Sequence, residues 1–262
     1  MKLRNIISLV ALVFASSVYA VDYTTGPNRV YVEQIGNSNN VTIEQVGGTN
    51  DVGGVAGSST VGADGVTTLT VTAPSTSNYA TINGSSNNVT VTQTGSNNQS
   101  QYNVKGGNNN YTSTVTGNGN QSKLTVGDTN TNGMRNTVTE TVTGNDNMLI
   151  TNVVGSDNTV STTMNSGSNN NQVTINQTTS NADITNTISG SNNVLNQQQI
   201  GAAGAGGHSL TTTTTGSYNS ITTQQQGTND TTVNIATTGD HNTITVRSSS
   251  SAIVNPASAI AR

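Results

Sequence analysis

The chain has 262 residues, of which 30% are hydrophobic, 3% aromatic and 8% charged, with 47 Thr, 40 Asn, 28 Gly and 0 Cys. One Phe and no Trp cannot fill a conventional core for this length, and low charge with abundant β-branched residues is not the composition of a solvated disordered chain. The formal net charge of -4, or -4 - 2 = -6 without Lys2 and Arg4, argues against phosphate-backbone binding and leaves a repetitive β structure as the expectation.

Residues 1–20 place Lys2 and Arg4 before an apolar run from Ile6 to Phe14 and end in the small-residue pattern Val18-Tyr19-Ala20. This predicts a signal peptide cleaved after Ala20, since the run is shorter than the ~20 residues of a spanning helix. Without Cys, an exported chain has no disulfide framework to hold it. Residues 21–33 read as a lead-in.

From 34 to 247 a unit recurs, Gly-x-x-Asn followed by a β-rich stretch, with turn glycines at Gly36, Gly84, Gly95, Gly117, Gly133, Gly144, Gly155, Gly190, Gly216 and Gly239. The spacing is 11 residues: Asn87, Asn98, Asn109 and Asn120 follow one another at that interval, as do Asn136, Asn147, Asn158 and Asn169. Insertions are expected near 51–77, 121–135 and 201–208, and a flexible tail over 248–262.

Residues two apart share a face of a strand. One face of the first unit is Asn39, Val41, Ile43 and Gln45, and one face of the next clear unit is Asn87, Val89, Val91 and Gln93. Lys, Arg and Glu fall on the opposite phase. The inward set is therefore expected to include these residues, Gln34, and the asparagines that head later units, Asn98, Asn109, Asn120, Asn136, Asn147, Asn158, Asn193, Asn219 and Asn242. Glu140 breaks the rule by falling on the inward phase, which predicts a bulged or solvated rung there. Near Asn181 the apolar set Ala182, Ile184 and Ile188 runs out of phase by one residue.

Eleven residues supply a strand of about six plus a tight turn. Two units make a 22-residue rung, and stacked rungs make an all-β solenoid of two parallel, in-register sheets about 10 Å apart. So narrow a core is expected to exclude bulky side chains. An inward Asn or Gln is costly alone, but identical residues on successive rungs can hydrogen-bond as a ladder.

The segments 34 to 45 (QIGNSNNVTIEQ) and 84 to 95 (GSSNNVTVTQTG) resemble the curlin repeat, Q-x-G-x-x-N-x-A/V-x-x-x-Q, of the curli subunits, which are bacterial extracellular amyloids. The resemblance extends at the level of Gly-x-x-Asn over roughly 34 to 246, with the second Gln replaced at Val104, Val115, Val126, Val142 and Val153. It implies export, passage through an outer-membrane secretion pore, a nucleator or companion subunit, and self-association into cell-surface biofilm fibres.

Other functions find less in the residues. His208, in a Gly-rich loop, and His241, in a turn, read as solvated, and neither has metal-ligand or catalytic spacing, so neither an enzyme nor a cofactor is expected. Asp128, Asp146, Asp157 and Asp240 fall in turns and could form a calcium-binding adhesin, but the plainer reading is turn chemistry. Outward T-x-T pairs such as Thr90 and Thr92 could make a surface- or ice-binding face. That would need Thr on one face only, and Thr is taken here to be spread over both half-rungs for its β-propensity.

Overall fold

A computed structural model describes residues 18–22, 28–53, 56–61, 67–72, 79–128, 131–201 and 207–249. Val and Thr dominate the alternating stretches, and their branched Cβ favours extended backbone. These stretches stack as parallel strands into a two-sheet β-solenoid, as expected.

The first sheet runs Val18–Asp22, Asn40–Val46, Asn88–Thr94, Asn110–Thr116, Thr137–Thr143, Thr159–Met164, Asp183–Ser189, Ser209–Thr215, Thr232–Thr238. The second runs Arg29–Val30, Asp51–Val52, Gln99–Gly107, Gln121–Val126, Met148–Val154, Gln172–Thr178, Val194–Ile200, Ser220–Gln226, Thr243–Ser249, with Val32–Ile35 and Ala80–Asn83 completing its N-terminal end. The register is unbroken: Val41, Val89, Tyr111, Val138, Val160, Ile184, Leu210 and Val233 form one column of the core.

Most corners turn through two left-handed positions separated by one residue, as at Gly36 (φ 119°) and Ser38 (φ 57°). Glycine is required at the first by more than φ: a Cβ on Gly84 would lie 1.7 Å from the carbonyl oxygen of Gly106 on the next rung. Every turn glycine named from the sequence has positive φ except Gly133, which keeps its place beside Gly106 without it.

The insertion between Val52 and Ala80 leaves the stack intact because the chain rejoins it in register. Asn39 and Asn87 are 48 residues apart where neighbouring rungs are normally 22 apart, so 48 − 22 = 26 residues are inserted. They interrupt a single second-sheet strand, whose halves Asp51–Val52 and Ala80–Asn83 pair with opposite ends of Gln99–Gly107. An antiparallel hairpin, Ala56–Val61 with Thr67–Thr72, lies within the insertion.

Several boundaries move. Gln121–Val126 is a regular strand, so the extra residues near there lie after it. The expected lead-in already contains strand at Arg29–Val30 and Val32–Ile35, and Ser248 and Ser249 end a strand instead of opening a tail. Val18–Asp22 pairs with Val41–Gln45, so cleavage after Ala20 would remove three of its five residues; residues 1–17 and 250–262 lie outside the described residues.

Val89 is 1% exposed, whereas Thr90 faces outward. Val89→Lys is expected to destabilise the fold by about 4 kcal/mol or more through a buried ammonium, and Thr90→Lys by no more than about 0.5 kcal/mol. Denaturant unfolding midpoints check both; equal losses would contradict the inward and outward assignment.

Candidate functional site

The repeating asparagines are buried and bonded through both ends of the amide. The Asn39 Oδ1 accepts from both the backbone N and the Nδ2 of Asn87, at 3.0 and 3.1 Å, and the Asn87 Nδ2 also donates to the Gly106 carbonyl at 2.9 Å. Asn109 repeats this on Asn87, and Asn136 on Asn109. Both amide hydrogens and two oxygen lone pairs are thus used by one residue type repeated once per rung. At the other corner the ladder runs through Asn50, Asn98, Asn120, Asn147, Asn171, Asn193, Asn219 and Asn242.

Two expectations about this ladder change. Asn169 does not belong to it; two extra residues in the preceding turn put Asn171 in its place, fully buried. Asn181 is the left-handed turn residue (φ 55°), and Ala182 occupies the ladder position, its N donating to the Asn158 Oδ1 at 3.1 Å. That assignment brings Ile184 and Ile188 into phase, both buried.

The same corner then holds His208 and Thr231 instead of Asn, with the Thr231 hydroxyl 2.9 Å from the His208 Nδ1. His208 is 1% exposed, so the expected solvated histidine is a core residue. His241 does lie in an exposed turn, stacked on Tyr218 at 5.0 Å.

Glutamines form shorter ladders. Gln45 donates to Gln93 at 2.8 Å, and Gln177 to Gln199 and Gln199 to Gln225 at the same distance. Between them the glutamine columns hold valines: Val115 and Val142 in the first sheet, Val104, Val126 and Val153 in the second, all buried. Gln34 is half-buried, in register with Ile82.

The core also holds more bulk than expected. Tyr102 and Tyr111 are fully enclosed, their rings 6.1 Å apart, beside the small Ser100, Ser113 and Ser122. Next to them Glu140 is 0% exposed, on a regular strand, so the rung is neither bulged nor solvated. Its Oε2 accepts from the Tyr111 hydroxyl at 2.9 Å and from Ser122 at 2.6 Å, and its Oε1 from Thr151 at 3.0 Å. Burial raises its pKa above the ordinary 4.5, while those three hydroxyls pull the other way. Burial and then the Glu140 charge raise the Tyr111 pKa, keeping it a phenol and a donor.

The turn aspartates are used locally. Asp157 pairs with Arg135 at 2.6 Å, which lowers its pKa; Asp240 accepts from the Ser217 N at 2.6 Å and Asp128 from the Thr131 N at 2.5 Å. Among the described residues no three His, Asp or Glu groups come together as a metal site.

Thr sorts by sheet, contrary to expectation. Outward on the first sheet, Thr42, Thr90, Thr112, Thr139, Ser161, Thr185 and Thr211 form one column, and Thr92, Thr114, Thr141, Thr163, Thr187 and Thr213 the next. Matching columns of the second sheet are mixed, as in Gln101, Lys123, Ile150, Thr174, Asn196 and Thr222. The chain matches no protein-family model, no curated protein and no solved structure.

Because the folded-state pKa of Glu140 is raised, its stabilising contribution is complete below 4.5 and falls as pH rises from there through the folded-state value. Glu140→Gln, which keeps an acceptor without the charge, is expected to flatten this slope and melt higher than the parent at neutral pH, by about 2–4 °C for each kcal/mol relieved. Melting curves of both chains at pH 4 and pH 7 check it.

Proposed function

We propose that the chain is a secreted structural protein that self-associates into curli-like extracellular fibres serving a matrix or adhesive role. The observation that carries the reading is the state of the two ends. Among the described residues, Thr232–Thr238 and Thr243–Ser249 each pair with a strand on one side only, presenting open backbone edges of an in-register parallel stack. Val30 and Val32 at one end and Ile244 and Val246 at the other are only partly covered, although they pack on the core. Each further copy would cover such residues and satisfy such an edge. The resemblance of 34 to 45 and 84 to 95 to curlin repeats supports the same reading, along with export through a leader ending at Ala20, an outer-membrane secretion pore and a nucleating companion. The chain starting at Val21 is expected to form fibres on incubation, with diffraction near 4.7–4.8 Å and about 10 Å. Electron microscopy and fibre diffraction test this, and a chain that stays soluble and monomeric at high concentration would overturn it.

A second reading rests on the Thr columns. Their hydroxyls and methyls repeat about every 4.8 Å between strands and about every 6.7 Å along them, mostly on stiff β-branched side chains, with Glu44 the one charge, at the N-terminal end of the second column. Such a face suits an ordered water lattice, and the reading is ice binding. Ice-recrystallisation assays test it: the parent is expected to inhibit, Thr114→Lys with Thr141→Lys to lose inhibition, and Thr125→Lys on the second sheet to keep it. A parent without inhibition removes the reading.

A further inference from the structure

We propose, building on the fibre reading, that copies join head to tail in one fixed register, Thr243–Ser249 of one copy lying on residues 29–35 of the next, with Arg247 of the first against Glu33 of the second. The second-sheet columns define this joint. Arg29 begins the column that ends in Thr243, Val30 the column that ends in Ile244, Val32 the column that ends in Val246, and Glu33 the column that ends in Arg247. Continuing the stack by one strand across the joint therefore puts Ile244 on Val30 and Val246 on Val32. These four are the partly buried hydrophobics packed against the core.

Two polar features fit the same register. The asparagine ladder of this corner starts at Asn28, whose Oδ1 accepts from the Asn50 N at 2.9 Å, and ends at Asn242. Across the joint Asn28 becomes the next rung above Asn242. Glu33 and Arg247 are both exposed and opposite in charge, and opposite charges on neighbouring strands attract whereas like charges repel. Arg29, the cation at the N-terminal end, pairs with Asp51 at 2.7 and 3.0 Å. End-to-end contacts between like ends would bring Glu33 toward Glu33 or Arg247 toward Arg247. The pair therefore gives the fibre its polarity as well as its register.

Charge reversal separates the joint from the fibre reading. Glu33→Lys alone sets Arg247 against Lys, and Arg247→Glu alone sets Glu33 against Glu; each is expected to elongate about tenfold more slowly than the parent. An equimolar mixture of the two single variants restores opposite charges at every joint if they alternate, and is expected to recover most of the parent rate, as is the double variant in one chain. Recovery in the mixture also shows that each variant folds. If the parent makes fibres but both single variants grow at its rate, or the mixture grows no faster than its components, the joint is overturned and the fibre reading stands. If the parent makes no fibres, the fibre reading falls and the joint with it.

Discussion

A carboxamide taken out of water needs partners for two hydrogens and for its oxygen, and in this chain they come from the rungs before and after it. That requirement explains the sequence better than hydrophobicity does. An Asn on one rung is satisfied by an Asn on the next only if the rungs are parallel, in register and equal in path around the corner. The 11-residue period is the sequence form of that demand. The glycine three residues ahead of most ladder asparagines follows from it, since its carbonyl is both an acceptor for the previous Asn and the atom a side chain would strike. Insertions are tolerated where they leave the path and rejoin it at the same level, as between Val52 and Ala80.

With the corners held by amides, the space between the sheets accepts unusual contents. Tyr111 fits because Ser122 is small and because Glu140 accepts its hydroxyl hydrogen bond; Glu140 is tolerated because three hydroxyls converge on it. Further along, Asn186 and Gln197 exchange hydrogen bonds across the core at 2.7 and 2.6 Å. A hydrophobic core of ordinary depth would reject such groups. Here each lies within reach of the opposite sheet, so a polar group on one strand can be answered by another about a half-rung later in sequence.

The fold was legible because two periods, 2 and 11, could be read directly. Val41, Ile43, Val89 and Val91 are inward as the alternation required. What escaped depended on the longer count of 22, which decides what lies directly above a residue. Two residues gained before Asn171 displaced the ladder from Asn169, and the same bookkeeping would have placed Ala182 and His208 in asparagine positions. Glu140 escapes the alternation because its partners, Tyr111, Ser122 and Thr151, lie on three other strands drawn from both sheets. The Thr columns emerge only when odd and even units are separated, which puts Thr90, Thr112 and Thr139 on one face and Gln101 and Lys123 on the other.

The two corners are unequal. One keeps its asparagines from Asn50 to Asn242, while the other has them only from Asn39 to Asn158 and then turns through Ala182, His208 and Thr231. There the Gln177, Gln199 and Gln225 ladder takes over, its amides donating to the carbonyls of Ala182, Asp183, Ser209 and Thr231. The two ends of the molecule are therefore laced differently, by asparagines at both corners toward the N-terminus and by asparagines at one corner with longer glutamines at the other toward the C-terminus, so an arriving copy meets two chemically distinct faces.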